Sequence, residues 1–380
     1  MVPGSTFKYG SSFWIDTVKP ADWRILAMEA EAMPLPRELH TPPVTNTNFG
    51  TSRAYRIRRQ VARGVGENLP GTTVVAETGG YTGLLCGILR AMNLWQSQQW
   101  EQLQSALGHR VFRIDGVVVL EKQLPGGFCS FEVQRASPAP ATWQQIRAEA
   151  AKRKAVFARI APAQGARLEI AETTLPSPEE HFPPASRIID LTPSEDEIIA
   201  GFSQTGRRHL RTAQKATLHI QQSDDVAAYA RLAKETAARD GFGVHGAGYY
   251  RQMLDVFGTD GFLLAIRQDA EWLAAGIYLI CEGTCTYYYG ASASAAREVQ
   301  PATLLQWEAM KIAKARGCDR FDLFGIAPPD QPQHRLAGVS RFKQKFGGDV
   351  VLYPPERIVV FRPLAYRAYR LAKGLRSLLR

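Results

Sequence analysis

The chain has 380 residues, 45% of them hydrophobic and 22% charged, and carries a formal net charge of +10. That is the composition of an ordinary globular protein, and the length exceeds a usual single domain, so two domains are expected. No apolar run approaches the roughly 18 residues of a membrane span, and the start lacks the charged-then-apolar pattern of a secretory signal. The positive balance suits a polyanionic partner (RNA, a phosphorylated substrate or an anionic membrane face) without choosing among them. The five cysteines are Cys86, Cys129, Cys281, Cys285 and Cys318. They form no C-x-x-C pair and have no histidine at zinc-ligand spacing, which predicts buried thiols in a reducing cytoplasm and no metal. Cys281 and Cys285 flank a turn and are placed to face each other across a hairpin.

Residues 1–91 carry a proline-rich stretch, an N-T-N run and a basic stretch with weak periodicity, and read as an extension of poor order or unknown role. A first unit, 92–187, then opens with a helix over 96–108 closed by Gly108. Val111–Lys122 reads as a hairpin turning at Asp115-Gly116. A polar-faced helix over 142–153 and an apolar strand over 155–160 follow, then a proline-rich linker over 171–186. A second unit, 188–348, starts at I-I-D-L and continues with T-P-S-E-D-E, a helix start with proline near the first turn. Helices are expected over 207–215, 224–240 and 249–257, strands over 262–266, 273–281 and 284–292, a helix over 301–317 and a buried strand over 320–326. Residues 349–365 are expected to return to the first unit, and 366–380 to form a basic helix.

Both units run helix, hairpin strands, helix, strand, the order in the core of the GNAT acyltransferase fold. The fold class is therefore α/β (α+β), two GNAT-like domains with mixed sheets. In coenzyme A enzymes of that fold a glycine-rich turn after the hairpin cradles the pyrophosphate at a helix N-terminus. Here that turn is A-A-R-E-V-Q-P-A-T-L-L, with no glycine and with Pro301 lacking an N–H. This argues against coenzyme A but not against acyl transfer from another donor. Arg208, Arg211 and Lys215 fall on one helix face as a basic stripe, equally a solvated face or a grip for phosphates.

Y-Y-Y-G-A-S, the helix P-A-T-L-L-Q-W-E-A-M-K-I-A-K-A-R-G, F-D-L-F-G-I and G-V-S-R-F-K-Q-K-F-G-G together resemble the FemABX family. Q-S-Q-Q-W-E-Q-L, T-G-R-R-H-L-R-T-A-Q-K and E-T-A-A-R-D-G-F agree, so the resemblance covers roughly residues 93–365. It implies a cytoplasmic, monomeric, tRNA-dependent aminoacyltransferase without a cofactor. The implied donor is aminoacyl-tRNA; the implied acceptor is the stem-peptide amine of lipid II or UDP-MurNAc-pentapeptide. It also implies that Lys343, behind Phe342, stabilises the charge of the tetrahedral intermediate, and that Tyr287, Tyr289 and Tyr249 meet the acceptor. Tyr287 and Tyr289 alternate along a strand and so are expected on one face. Where the family binds acceptor phosphates with basic side chains, this sequence has Gln104 and His245, and Arg239 is a possible substitute. Lys345 and the stripe Arg208, Arg211 and Lys215 are the candidates for phosphate or tRNA contact. The basic, leucine-bearing stretch from Arg362 is read either as packing on the first unit or as contact with the inner membrane face.

Overall fold

The computed structural model describes residues 94–294 and 297–378, the side chains of 376–378 excepted. The expected N-terminal extension lies outside the described residues. The first helix, α1 (Gln98–Ala106), is capped by Ser97, whose hydroxyl accepts the Trp100 N–H at 3.1 Å. Asp115 and Gly116 both take positive φ, as a two-residue hairpin turn requires, and join β1 (Arg110–Ile114) to β2 (Val117–Leu124). A third strand, β3 (Phe128–Val133), was not legible in the pattern: five of its six residues are buried, so F-C-S-F-E-V shows no alternation. Helix α2 (Pro140–Lys152) carries the chain back to β4 (Ala155–Ile160), parallel to β3. A two-residue β5 (Leu175–Pro176) lies at the sheet edge.

The second sheet begins with β6 (Ala185–Asp190). Helix α3 (Glu195–Gly201) starts with a reciprocal capping box between Ser194 and Glu197, so Pro193 precedes the cap instead of sitting in the first turn. Next come α4 (Gln204–Lys215), the polar edge strand β7 (His219–Ser223), α5 (Val226–Asp240, stopped by left-handed Gly241) and α6 (Ala247–Phe257). The meander β8 (Gly261–Gln268), β9 (Glu271–Cys281) and β10 (Thr284–Ser292) leads through α7 (Pro301–Ala315) to β11 (Arg320–Asp322), parallel to β10. Helix α8 (Ala337–Lys343), β12 (Asp349–Leu352), β13 (Arg357–Val360) and α9 (Pro363–Leu378) complete the order.

The strands assemble as β1-β2-β3-β4-β13-β5 and β12-β6-β11-β10-β9-β8-β7, two mixed sheets in an α/β fold. Residues 349–365 were expected together on the first sheet, but they divide: β13 lies beside β4, whereas β12 pairs with β6 in the second sheet. The halves also share a core. Trp95, Trp100 and Leu103 from the first pack with Tyr229, Tyr250, Met253 and the β8–β10 face of the second. Cys281 pairs with Thr284 and Cys285 with Ile280, so the two thiols enter opposite cores instead of facing each other. No described helix is long and apolar enough to cross a membrane.

Candidate active site

The parallel pairing of β10 with β11 stops after three residue pairs, at Thr286 opposite Asp322. Strand β10 continues to Ser292, while the chain after Asp322 turns away through Phe324, whose φ is +56°. The seam between the strands opens there. Helix α8 delivers Lys343 into it: the ammonium donates to the carbonyls of Phe324 (2.6 Å) and Gly325 (2.8 Å) and lies 5.9 Å from the Tyr287 ring centroid. Lys343 is 7% exposed, so R-F-K-Q-K-F-G-G is a helix end with an inward lysine, not a solvated basic turn. Burial lowers the Lys343 pKa to about 7, against the opposing pull of Asp322. The two carbonyls occupy two of the three donors of an ammonium and leave capacity for one more acceptor. The glycines that close the motif are required: at positive φ, a Cβ on Gly347 would sit 2.3 Å from the Gly201 carbonyl oxygen, and one on Gly348 would sit 2.4 Å from that of Ile188. Phe342 packs against Phe346 (5.4 Å) and the core, and is a packing residue beside the lysine.

The expected shared face of Tyr287 and Tyr289 does not form. Tyr287 pairs with Tyr278 and Tyr289 with the next residue back, Ile277, so Tyr288 is the extra residue of a β-bulge. The bulge breaks the two-residue alternation. Tyr287 joins the core under α7, stacking on Tyr278 at 5.4 Å, with its hydroxyl over Gly290. Tyr288 and Tyr289 join the core on the other face. There Tyr289 donates to the Tyr249 hydroxyl (3.2 Å), and His245 stacks on Tyr249 with centroids 3.7 Å apart. Burial pushes the His245 pKa down to about 4 and that of Tyr249 up to about 12, so both rings are neutral at pH 7. Tyr288 stacks on Phe324 (5.4 Å) and so connects this aromatic box to the turn that holds Lys343.

The remaining candidates scatter. Gln104 is 4% exposed, on the helix that packs against α6. Arg239 pairs with Asp240 (2.9 Å) and donates to the Ser292 carbonyl (2.9 Å), so it is engaged at the end of β10. Arg208, Arg211 and Lys215 are exposed along α4. Lys345 lies 3.2 Å from His209 on the same helix, and burial lowers its pKa.

With this geometry in hand, comparison with known proteins gives a family. The FemAB family model matches residues 177–268 and 263–374, just over half of the chain. The chain belongs to the FemAB family. Among curated relatives, Aminoacyltransferase FemA of Staphylococcus aureus is 26% identical over 105 residues, which are 28% of this chain and 25% of that protein. The chain thus spans about a quarter of the relative's length. The crystal structure of FemX superposes with a TM-score of 0.63 at 16% identity, covering 74% of this chain and 96% of that one, which shows a common fold.

In this FemAB chain the lysine has neighbours that the sequence reading missed. Asp322 is 2% exposed; it accepts the Ser186 hydroxyl and the Phe324 N–H (2.7 Å). Burial raises its pKa, with those two hydrogen bonds and the nearby charges of Lys343 and Arg135 opposing the rise. An acid inside the apolar run F-D-L-F-G was the available signal. Arg135 reaches the same region from the first half, 3.5 Å from the Tyr353 ring centroid and donating to the Pro183 carbonyl at 2.6 Å. Nothing in V-Q-R-A-S pointed to it.

Proposed function

We propose that this chain is an aminoacyltransferase that moves an amino acid from aminoacyl-tRNA to a stem-peptide amine of a peptidoglycan precursor, lipid-linked or nucleotide-linked. Family membership and the aminoacyltransferase named among its relatives support the reaction class. The observation that carries the mechanism is the buried Lys343 ammonium at the open β10–β11 seam. The acceptor nitrogen forms a bond to the ester carbonyl carbon. Charge develops on the carbonyl oxygen, where the third Lys343 donor stabilises it. The bond to the ribose oxygen then breaks, and that oxygen takes the proton the amine gives up. A preorganised donor of this kind is worth about a hundred- to a thousandfold in rate. The acceptor's own amine is the nucleophile, so no protein nucleophile is needed.

Arg208, Arg211, Lys215 and Lys345 would follow the tRNA phosphates, giving binding that weakens with salt. The box of His245, Tyr249 and Tyr289 would take an uncharged part of the acceptor, since Gln104 is neutral and His245 is uncharged at pH 7. A pKa of about 7 also favours a second role for Lys343, as the base that deprotonates the incoming amine. The pH profile separates the roles: an oxyanion donor fails as pH rises through about 7, a base fails as pH falls through it. The test of the reaction is transfer of labelled amino acids from a mixture of charged tRNAs to nucleotide-linked and lipid-linked muropeptides. Label on either acceptor supports the reading; folded protein that labels neither overturns it.

A further inference from the structure

We infer that the outer face of α9 is a docking surface for an anionic lipid bilayer. The inner face of this helix is settled: Tyr366 and Tyr369 pack on Phe157 of β4 at 5.3 and 5.2 Å, and Lys373 pairs with Glu179 at 2.7 Å. About half a turn away, Leu364, Leu371 and Leu375 fall within about 40° of one another around the helix. They are 78%, 70% and 50% exposed, and Leu364 and Leu371 exceed every other exposed large hydrophobic among the described residues. Isolated surface leucines need no explanation, but an aligned stripe along one helix does.

The charge around the stripe selects the occupant. Arg367 and Arg370 are exposed along one flank and Arg362 is exposed just before the helix. From Arg362 to the end the sequence holds Arg362, Arg367, Arg370, Lys373, Arg376 and Arg380 and no acid. An apolar stripe edged by cations, on a helix lying flat against its domain, matches the interface of an anionic bilayer, where leucines enter the acyl boundary and arginines meet the headgroups. The helix is also tied to the site. Glu179, which holds Lys373, is followed by Glu180, which contacts His334 (3.0 Å) and Arg335 (3.2 Å) in the loop leading to α8 and Lys343. A bilayer under α9 would therefore lie near the loop that delivers the lysine.

The test is co-sedimentation of the full chain with vesicles of phosphatidylcholine alone and with added phosphatidylglycerol, free of tRNA and acceptor, so its outcome is independent of the transfer reaction. Binding is expected on the anionic vesicles and should fall on the order of tenfold in the triple variant L364S/L371S/L375S. In R367E/R370E the preference for anionic vesicles should disappear. All five positions are exposed, and thermal melts matching the parent confirm that each variant folds. The inference is overturned if the parent does not bind anionic vesicles or if the leucine variant binds them equally. It is likewise overturned if the leucine variant instead abolishes a lipid-independent dimer or the capture of an acidic protein.

Discussion

The two halves thread the same elements and differ at one seam. In the first, β1, β2, β3, α2 and β4 form a three-strand meander, a helix and a parallel return; in the second, β8, β9, β10, α7 and β11 do the same. The first seam is irregular between Cys129 and Phe131 but closed at the end that corresponds to the gap. Strands β3 and β4 pair as far as Val133 and Ile160, and the Ala161 N–H still donates to the Val133 carbonyl (2.9 Å). Glu132 and Arg159 sit opposite each other across it, bonded at 2.7 Å, with Lys122 on the other carboxylate oxygen at 2.9 Å. The second seam closes for three pairs and then parts, and Lys343 and Asp322 line the gap. Duplicating a topology does not duplicate a site. A charge pair is bonded across the closed seam, whereas the chain leaves the other at a left-handed turn, Phe324, whose carbonyl and the next accept from a lysine.

Breaking the closed seam should have the largest effect. Glu132→Ala leaves Arg159 buried without its bonded carboxylate, a loss of about 3–5 kcal/mol, read as a lower urea midpoint at pH 7. Burial pushes the Glu132 pKa up, but Lys122, Arg159 and His181 outweigh burial and hold it well below the usual carboxylate range. A depressed folded pKa gives stability that is present above the unfolded value, near 4.3, and is lost as pH falls below it. The gap between parent and variant should therefore narrow on acidification. An equal gap at every pH would mean that the charge pair does not hold this seam.

The open seam should respond in rate more than in stability. Lys343→Met keeps the length and removes the donor, so kcat for aminoacyl transfer should fall about a hundred- to a thousandfold. The melting temperature should fall modestly, because the variant relieves a desolvated amine but leaves the Phe324 and Gly325 carbonyls without their donor. A variant that transfers at the parental rate would remove Lys343 from the mechanism.

How far the comparison was legible depends on whether a feature is local. Turns are: Asp115-Gly116 marked the first hairpin, whereas the Ser97 cap, the box of Ser194 with Glu197 and the Gly241 stop, equally local, set helix ends that the reading did not draw on. Lys343 came from the resemblance carried by F-K-Q-K-F-G-G, whose two glycines are held in place by close contact with distant backbone. Strand β3 was hidden because burial on both faces erases alternation, and β7 because its residues are polar and mostly exposed. The face shared by Tyr287 and Tyr289 failed for a different cause. A bulge is set by register with β9, and register is a property of two strands that neither reveals alone. The carbonyl clasp on Lys343 and the approach of Arg135 likewise join residues far apart in the chain.

The smallest expected effect sharpens the comparison most, because it asks whether the two acid–base pairs do different work. Asp322 raises the Lys343 pKa while burial lowers it, the value settling at about 7. Asp322→Asn keeps oxygen available for the Ser186 hydroxyl and the Phe324 N–H but removes the charge. Lys343 must then lose its proton at lower pH. If the ammonium stabilises the oxyanion, the descending limb of the kcat profile moves to more acidic pH. The rate above the parental midpoint should then drop by up to about tenfold per unit of movement, while the acid plateau stays in place. If Lys343 acts as a base, the same substitution moves an ascending limb to more acidic pH and raises the rate below the parental midpoint. A profile that does not move in either direction would make Asp322 a hydrogen-bond acceptor for the turn alone. The open seam would then hold its lysine by the two carbonyls without help from the acid, and the contrast with the charge-bonded first seam would be complete.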